Sequence, residues 1–301
     1  MKKQVILYVG EICNNDCVMC SLKDDGRNIV SYSNLSEKIK KRRNDADKIS
    51  FTGGEPTEHP DIIKLFKEAN KFGYEIGIST NGRKFSDPEF TKKLVSLGLK
   101  EASVTIHGPQ KTHNRITGKK SYTKTISGLE NLIAEGVTVT TDSVLLKINI
   151  DHLQKLWKTV LKMKVKKIGL QDLVPEGGGS ANFKELVISY ERKKKFFYDN
   201  LNFLKKFHFV HVANFPRCVL PLNLPENFIH TSHHQKEHGW QFDGLSNTGT
   251  QKLKKKIKVC KKCPYQNKCY GFRKKNLKKF NKESVKEMME IDNFMEKSNS
   301  R

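Results

Sequence analysis

The 301-residue sequence has no apolar run approaching the roughly 20 residues a bilayer-crossing helix needs, so no membrane span is expected and the chain is read as cytoplasmic. Its start, Lys2-Lys3 and then Gln4 to Val9, has the charge-then-apolar order of a secretion signal. The apolar run is too short, and Glu11 and a cysteine cluster follow at once, so it reads as a strand. Acidic residues are few: 32 Asp and Glu stand against 56 Lys and Arg, a formal net charge of +24. Such an excess suits a polyanionic partner, either nucleic acid or an acidic or phosphorylated substrate. Lysine, asparagine and isoleucine are abundant together, however, a bias that an AT-rich genome and the solvated faces of helices produce unaided. Nucleic acid is therefore possible as a partner but not favoured. Hydrophobic residues make up only 36%. They gather in short runs, which argues against disorder. A scattered disulfide framework is also missing, because the seven cysteines fall into an early and a late group, closely spaced apart from Cys218, and close spacing points to metal.

Six apolar, β-branched runs predict strands at Gln4–Val9, Lys48–Thr52, Glu75–Thr80, Ala102–His107, Val137–Leu146 and Lys167–Leu173. Helical spacing separates them at Leu35–Arg42, Asp61–Phe72, Pro88–Leu97, Tyr122–Glu135 and Asp151–Met163, with Gly73, Gly98 and Gly136 as stops. Strict alternation implies parallel strands joined by right-handed crossovers. A full eightfold barrel takes about 250 residues, so the expected fold is α/β, a partial (β/α)6 TIM-like barrel over residues 1–180. Pro175 to Ser180 reads as a turn or linker. Residues 181–301 form an expected small C-terminal cysteine-rich domain, with a charged helix over Asn182–Lys205, a strand at Phe209–Ala213 and a helix at Glu283–Lys297.

Cys13, Cys17 and Cys20 lie directly after the first strand. Four thiolates complete an iron–sulfur cubane. Three leave one iron open, as a cluster needs if it is to bind and cleave another molecule. Zinc stays open on spacing alone, although a closed zinc site needs a fourth ligand and the nearest later histidine is His59. The run Cys-x3-Cys-x-Met19-Cys resembles the cluster motif of the radical S-adenosylmethionine (SAM) superfamily. Gly53-Gly54-Glu55-Pro56, after the second strand, is similar to that family's GGEP motif. Ser79-Thr80-Asn81-Gly82, the fourth strand Ser103 to Gly108, Asn149, and Leu170-Gln171 follow in the family's order, over about residues 4–180.

The resemblance implies a [4Fe–4S] cluster on Cys13, Cys17 and Cys20 with SAM at its open iron. Met19, Gly53, Gly54, Glu55, Pro56, Ser79, Asn81, Ser103, Thr105, Asn149, Leu170 and Gln171 become the expected cofactor-binding set. Gly53 and Gly54 would let backbone approach a ligand closely, and Glu55 would orient the SAM ammonium. His107, His113 and Arg115, at or beyond the end of the fourth strand, are candidate substrate contacts; a solvated loop is the plainer reading.

The later group, Cys260, Cys263 and Cys269 with Cys218 upstream, supplies four thiols, enough for a second cubane or for zinc. It is similar to the auxiliary-cluster domains called SPASM and, in the shorter form, twitch; a second [4Fe–4S] cluster is the implied occupant. His230, His233, His234 and His238 read as a loop, with a metal site or a segment covering the substrate as the alternatives. The resemblance further implies a reductant such as flavodoxin or ferredoxin, reductive SAM cleavage to a 5′-deoxyadenosyl radical, and hydrogen abstraction from a peptide or small-molecule substrate. Peptide is the leading expectation, with a nucleotide, RNA or metabolite as alternative. A non-catalytic iron–sulfur or zinc binding protein is the alternative of another class.

Overall fold

A computed structural model of the chain describes residues 3–22, 28–221, 224–230, 240–243, 254–262, 269, 271–274 and 277. The six expected strands form: β1 (Gln4–Tyr8), β2 (Lys48–Thr52), β3 (Glu75–Thr80), β4 (Leu99–Thr105), β5 (Thr138–Leu145) and β6 (Lys167–Asp172). The five expected helices also form: α1 (Tyr32–Arg42), α2 (Ile62–Lys71), α3 (Pro88–Ser96), then α5 (Tyr122–Ala134) and α6 (Leu153–Lys162). Between α3 and α5 lies α4 (Gln110–Thr117), in a stretch read from sequence as loop. Every β1–β6 neighbour pair is parallel. The result is an α/β partial TIM barrel.

The sheet extends beyond six strands. β7 (Phe209–Ala213) pairs with β6, β8 (Phe228–His230) with β7, and β9 (Trp240–Asp243) with β1, all parallel. Among the described residues the order is β8-β7-β6-β5-β4-β3-β2-β1-β9, an open nine-stranded sheet whose edges do not meet. Residues 222–250, without visible periodicity, thus supply an edge strand at each side.

The linker expected at Pro175 to Ser180 is instead largely a short helix, α7 (Gly177–Ala181). The charged helix is split into α8 (Phe183–Leu186) and α9 (Tyr190–Leu204), with Ser189 accepting from the Arg192 N–H as N-cap. Two strand pieces, β10 (Lys254–Lys255) and β11 (Phe272–Arg273), pair antiparallel. The helix expected at Glu283–Lys297 lies outside the described residues.

One apolar core runs from Val5 and Leu7 of β1 to Val210 and Val212 of β7. Trp157 of α6 is 2% exposed and packs on Phe196 and Phe203 of α9. At the amino ends of the strands Lys48 ties Glu75 at 2.6 Å and Glu101 at 3.1 Å. The carboxyl ends, where ligands of such barrels bind, carry the cysteine loop.

Candidate functional site

The loop around Cys13 to Cys20 is held by hydrogen bonds from several elements, most of them backbone to backbone. The Gly54 N–H donates to Gly10 O at 2.9 Å and the Glu55 N–H to Ile12 O at 2.7 Å. The Asp16 and Val18 N–H groups donate to Thr117 O and Ile116 O at the end of α4, both at 2.9 Å. The Gly178 N–H of α7 donates to Cys20 O at 2.8 Å, and the Asn182 amide to Val18 O at 2.8 Å. Underneath, Met19 joins Ile116, Leu146, Leu173, Phe183 and Leu186 in an apolar cluster separate from the main core. The segment read as a linker and the helix read as a loop therefore both brace this loop. Asn14 completes the brace, its amide donating to Glu58 at 2.9 Å and its side-chain oxygen accepting from the Asn81 amide at 2.7 Å.

Gly53 and Gly54 line the cavity described below and also meet a packing demand. A Cβ on Gly54 would stand 2.2 Å from Glu11 O and 2.5 Å from Ile12 O, and one on Gly53 2.3 Å from Gly10 O. Their bareness lets the turn after β2 lie against the cysteine loop. Glu55, 1% exposed, is occupied by the protein. Oε1 accepts from the Thr57 N–H (3.1 Å), the Thr57 hydroxyl (2.7 Å) and the Thr80 hydroxyl (2.7 Å), and Oε2 from the Asn81 N–H (2.6 Å). Burial pushes its carboxyl above the usual range, against those donors. Pro56 is buried and opens the short turn that follows.

Cys13, Cys17, Cys20, Gly53, Gly54, Ser79, Asn81, Thr105 and His107 all face one cavity of about 570 Å³. Among the described residues no three His, Cys, Asp or Glu side chains gather tightly enough for one metal ion. The three thiols share the lining of that cavity. A closed zinc site needs four ligands at about 2.0–2.3 Å, whereas a cubane takes each thiolate on its own iron, and three thiols on one roomy cavity are a donor set that fits the cubane with one iron left open. The Cys13 sulfur also accepts from the Asn15 N–H at 3.4 Å, the kind of hydrogen bond that tunes cluster potential.

A second cavity, about 630 Å³, adjoins the first and shares Cys17, Cys20, Gly53, Thr105 and His107 with it. Met19, Gln171, Asp142, Asp172, Glu176 and Lys254 also line it. His107 is fully buried at the junction. Its Nδ1 accepts from the Val144 N–H at 3.4 Å, which leaves the proton on Nε2, and Nε2 has no partner. Burial lowers its pKa to about 3, so the ring stays neutral. His113 does not reach either cavity: its Nδ1 accepts from the His107 N–H at 3.2 Å and Nε2 faces Ser121 at 3.0 Å. Arg115 is exposed outside both cavities.

Asn149 is also spent on backbone, its amide donating to His107 O (2.9 Å) and Val144 O (2.8 Å) and its oxygen accepting from the Leu146 N–H (2.8 Å). Leu170 is core. Ser103 donates to Asp142, a residue that sequence reasoning passed over. Of the late cysteines, Cys218 and Cys260 pack on the main core, and the Cys269 sulfur accepts from the Gly271 N–H at 3.4 Å. Cys263 and His233, His234 and His238 lie outside the described residues, as does the side chain of His230.

The family profile described as the Radical SAM superfamily matches residues 7–160, just over half of the chain. Over 219 residues the chain is 28% identical to a protein named probable GTP 3′,8-cyclase from Saccharolobus islandicus, covering 71% of this chain and 69% of that one. Among solved structures, Streptococcus suis SuiB bound to precursor peptide SuiA superposes with a TM-score of 0.57 at 13% identity, over 79% of this chain and 51% of SuiB. The structure of anSMEcpe with bound AdoMet and the Cp18Cys peptide gives a TM-score of 0.57 at 20% identity, over 66% of this chain and 59% of that one. The chain thus spans about half the length of SuiB. At these identities the two structures establish the shared fold.

Proposed function

From the premise that this chain belongs to the radical SAM superfamily and is an enzyme of it, we propose that it abstracts hydrogen from a peptide held in the second cavity. Cys13, Cys17 and Cys20 would hold the [4Fe–4S] cluster, and SAM would lie in the first cavity along Gly53, Gly54, Ser79, Asn81 and Thr105. When bound there, cluster and SAM supply a carbon-centred radical strong enough to take a hydrogen atom from a substrate. The protein contributes binding, orientation and exclusion of water. Glu55 shapes the cofactor cavity by fixing the starts of the turns after β2 and β3. His107 offers a neutral Nε2–H donor at the wall common to both cavities.

The observation that carries the reading is that common wall. Two chambers that share Cys17, Cys20, Gly53, Thr105 and His107 bring a second molecule against the one in the first. Peptide is favoured over nucleotide by the lining. Among the described residues of the second cavity, Asp142, Asp172 and Glu176 stand against Lys254. A triphosphate calls for clustered Arg and Lys. SuiB, of similar fold, is bound to a precursor peptide.

Cys218, Cys260, Cys263 and Cys269 would carry a second [4Fe–4S] cluster in a C-terminal unit beginning near residue 181, although β7 and β8 continue the barrel sheet. A flavodoxin or ferredoxin would reduce the enzyme, and the cytoplasm suits such chemistry. Among the described residues no helix is long and apolar enough to cross a membrane.

The test is anaerobic reconstitution with dithionite and SAM, followed by chromatography for methionine and 5′-deoxyadenosine. Peptides encoded beside the gene are added and their masses followed. SAM cleavage that never alters a peptide mass removes the peptide reading, and a protein that holds iron yet never cleaves SAM removes the radical one. A second reading, a nucleotide substrate, is favoured by the +24 charge and by the relative named probable GTP 3′,8-cyclase. GTP consumed in step with SAM would establish it.

A further inference from the structure

Asp142 occupies an interior position of β5, in register with Thr105 of β4 and Gly169 of β6. The hydroxyl of Ser103 donates to its Oδ2. On the other side a Cβ on Gly169 would lie 1.6 Å from Oδ1, so β6 is bare where the carboxylate rests. Asp142 lines the larger cavity. Asp172, also in that lining, is neutralised by Lys193 at 2.7 Å, the pair being 3% and 1% exposed. Among the described residues Asp142 has no such cation. Asp142 is half-buried at the cavity wall; a carboxylate partly withdrawn from water without a counter-charge is disfavoured, and burial raises its pKa.

The second, independent feature is His107. Its ring is fully buried, lines the same cavity, and carries an Nε2 without a partner. Glu176 and Lys254 line the same cavity, and among the described residues no ion pair joins Lys254 to Asp142, so the chamber sets an acceptor without a paired counter-charge beside an unpaired neutral donor.

We propose that the larger cavity binds a cationic substrate group, an ammonium or guanidinium on a lysine or arginine of the peptide, through Asp142, while a neighbouring carbonyl oxygen accepts the His107 Nε2–H. The inference rests on the function proposed above and adds the substrate's charge. A neutral donor would also bond the carboxylate, but an ionised one is bound about twice as strongly and supplies the missing charge.

The test uses reconstituted holoenzyme with SAM, kept anaerobic, and four probes. Nα-acetyl-lysine and Nα-acetyl-arginine methylamides are compared with the neutral norleucine and citrulline analogues by calorimetry. The cationic probes are expected to bind at least tenfold tighter, about 1.4 kcal/mol, and Asp142→Asn to erase the difference. Gly169→Ala, which displaces the carboxylate, should do the same. Equal binding of all four probes, no binding, or a preference that survives Asp142→Asn overturns the proposal. The wild-type comparison stands even if a variant fails to fold. SAM affinity is measured alongside: a loss in Asp142→Asn that matches the probe loss assigns the carboxylate to the cofactor's own cation and likewise overturns it. Wild-type enzyme that never cleaves SAM refutes the radical reading instead, a separately visible failure.

Discussion

Gly54→Ala tests whether the Gly-Gly turn exists to seat the cysteine loop. The new Cβ would stand 2.2 Å from Glu11 O and 2.5 Å from Ile12 O. Contacts below 3.0 Å are essentially unknown for real Cβ atoms, so one backbone must retreat by about 0.8 Å, the shortfall between these two distances. Both hydrogen bonds that join the segments, Gly54 N–H to Gly10 O and Glu55 N–H to Ile12 O, run through the displaced atoms. Losing them costs about 1 kcal/mol each, and overpacking adds about 1–3 kcal/mol. A total near 3–5 kcal/mol, at ~2–4 °C per kcal/mol, should lower Tm by roughly 10 °C.

Because Cys13 follows Ile12 directly, the damage should appear first in cluster loading. The assay is iron per chain and visible absorbance after anaerobic reconstitution, with SAM affinity measured on whatever fraction loads. Low iron with near-normal SAM affinity of the loaded fraction is expected. Full iron loading with an unchanged Tm and weakened SAM binding would refute the packing argument and return Gly54 to a ligand-clearing role.

Lys193→Met leaves Asp172 buried without its partner and should cost about 3–5 kcal/mol in urea unfolding, much of it regained when Asp172→Leu is added; equal losses in single and double variants would contradict the pairing. Glu55→Gln places an amide where four donors converge, so at least one loses its acceptor, and a loss of about 1–3 kcal/mol follows; an unchanged melt would mean that the carboxylate is not needed there. His107 and His113 are held neutral, near pKa 3 and 4. The unfolded chain takes up protons below about pH 6.5 that the folded one refuses, so stability of cluster-free protein is full above that pH and falls as pH drops towards 4. Each histidine contributes up to about 1.4 kcal/mol per pH unit; urea melts at pH 6.5 and 5.0 should show the slope, and His107→Gln should shallow it.

The barrel was legible because its strands and helices carry different apolar periods and glycines mark the helix ends. Gly73 and Gly136 take φ of 72° and 75° where α2 and α5 stop. What escaped notice lacked that signal. α4 buries only His113, Ile116 and Thr117, so its sequence shows no apolar stripe, yet it presents two carbonyls to the cysteine loop. β8 and β9 have three and four residues, too few for an alternation to register. The glycines of α7 read as a linker, although their bareness lets the helix lie on Val18 and Cys20: a Cβ on Gly178 would meet Val18 O at 2.8 Å. Cys13, Cys17 and Cys20 were legible from spacing, and the structure sets them on one cavity wall. Asp142 left one available clue, a lone charge inside the strand from Thr138 to Leu145. Its meaning needs the register that sets it beside Gly169.

The same register separates two charges that composition merges. Lys40 and Lys41 of α1, Lys92 and Lys93 of α3, and Lys155 and Lys158 of α6 are all exposed. They stand on helices outside the sheet, and a polyanion would meet them at the surface. On the function proposed above the substrate would meet the strands' carboxyl ends instead, where the described lining of the larger cavity is net acidic. Attraction to the exterior acts through water and is screened within about 8–10 Å by ordinary salt; attraction to Asp142 acts inside a chamber that salt screens far less. A high-salt wash should therefore strip adventitious polyanions while leaving the lysine-over-norleucine ratio nearly intact. If that ratio collapses with salt as steeply as polyanion binding does, the discriminating charge lies on the helices, and the overall +24 was the better guide to the substrate after all.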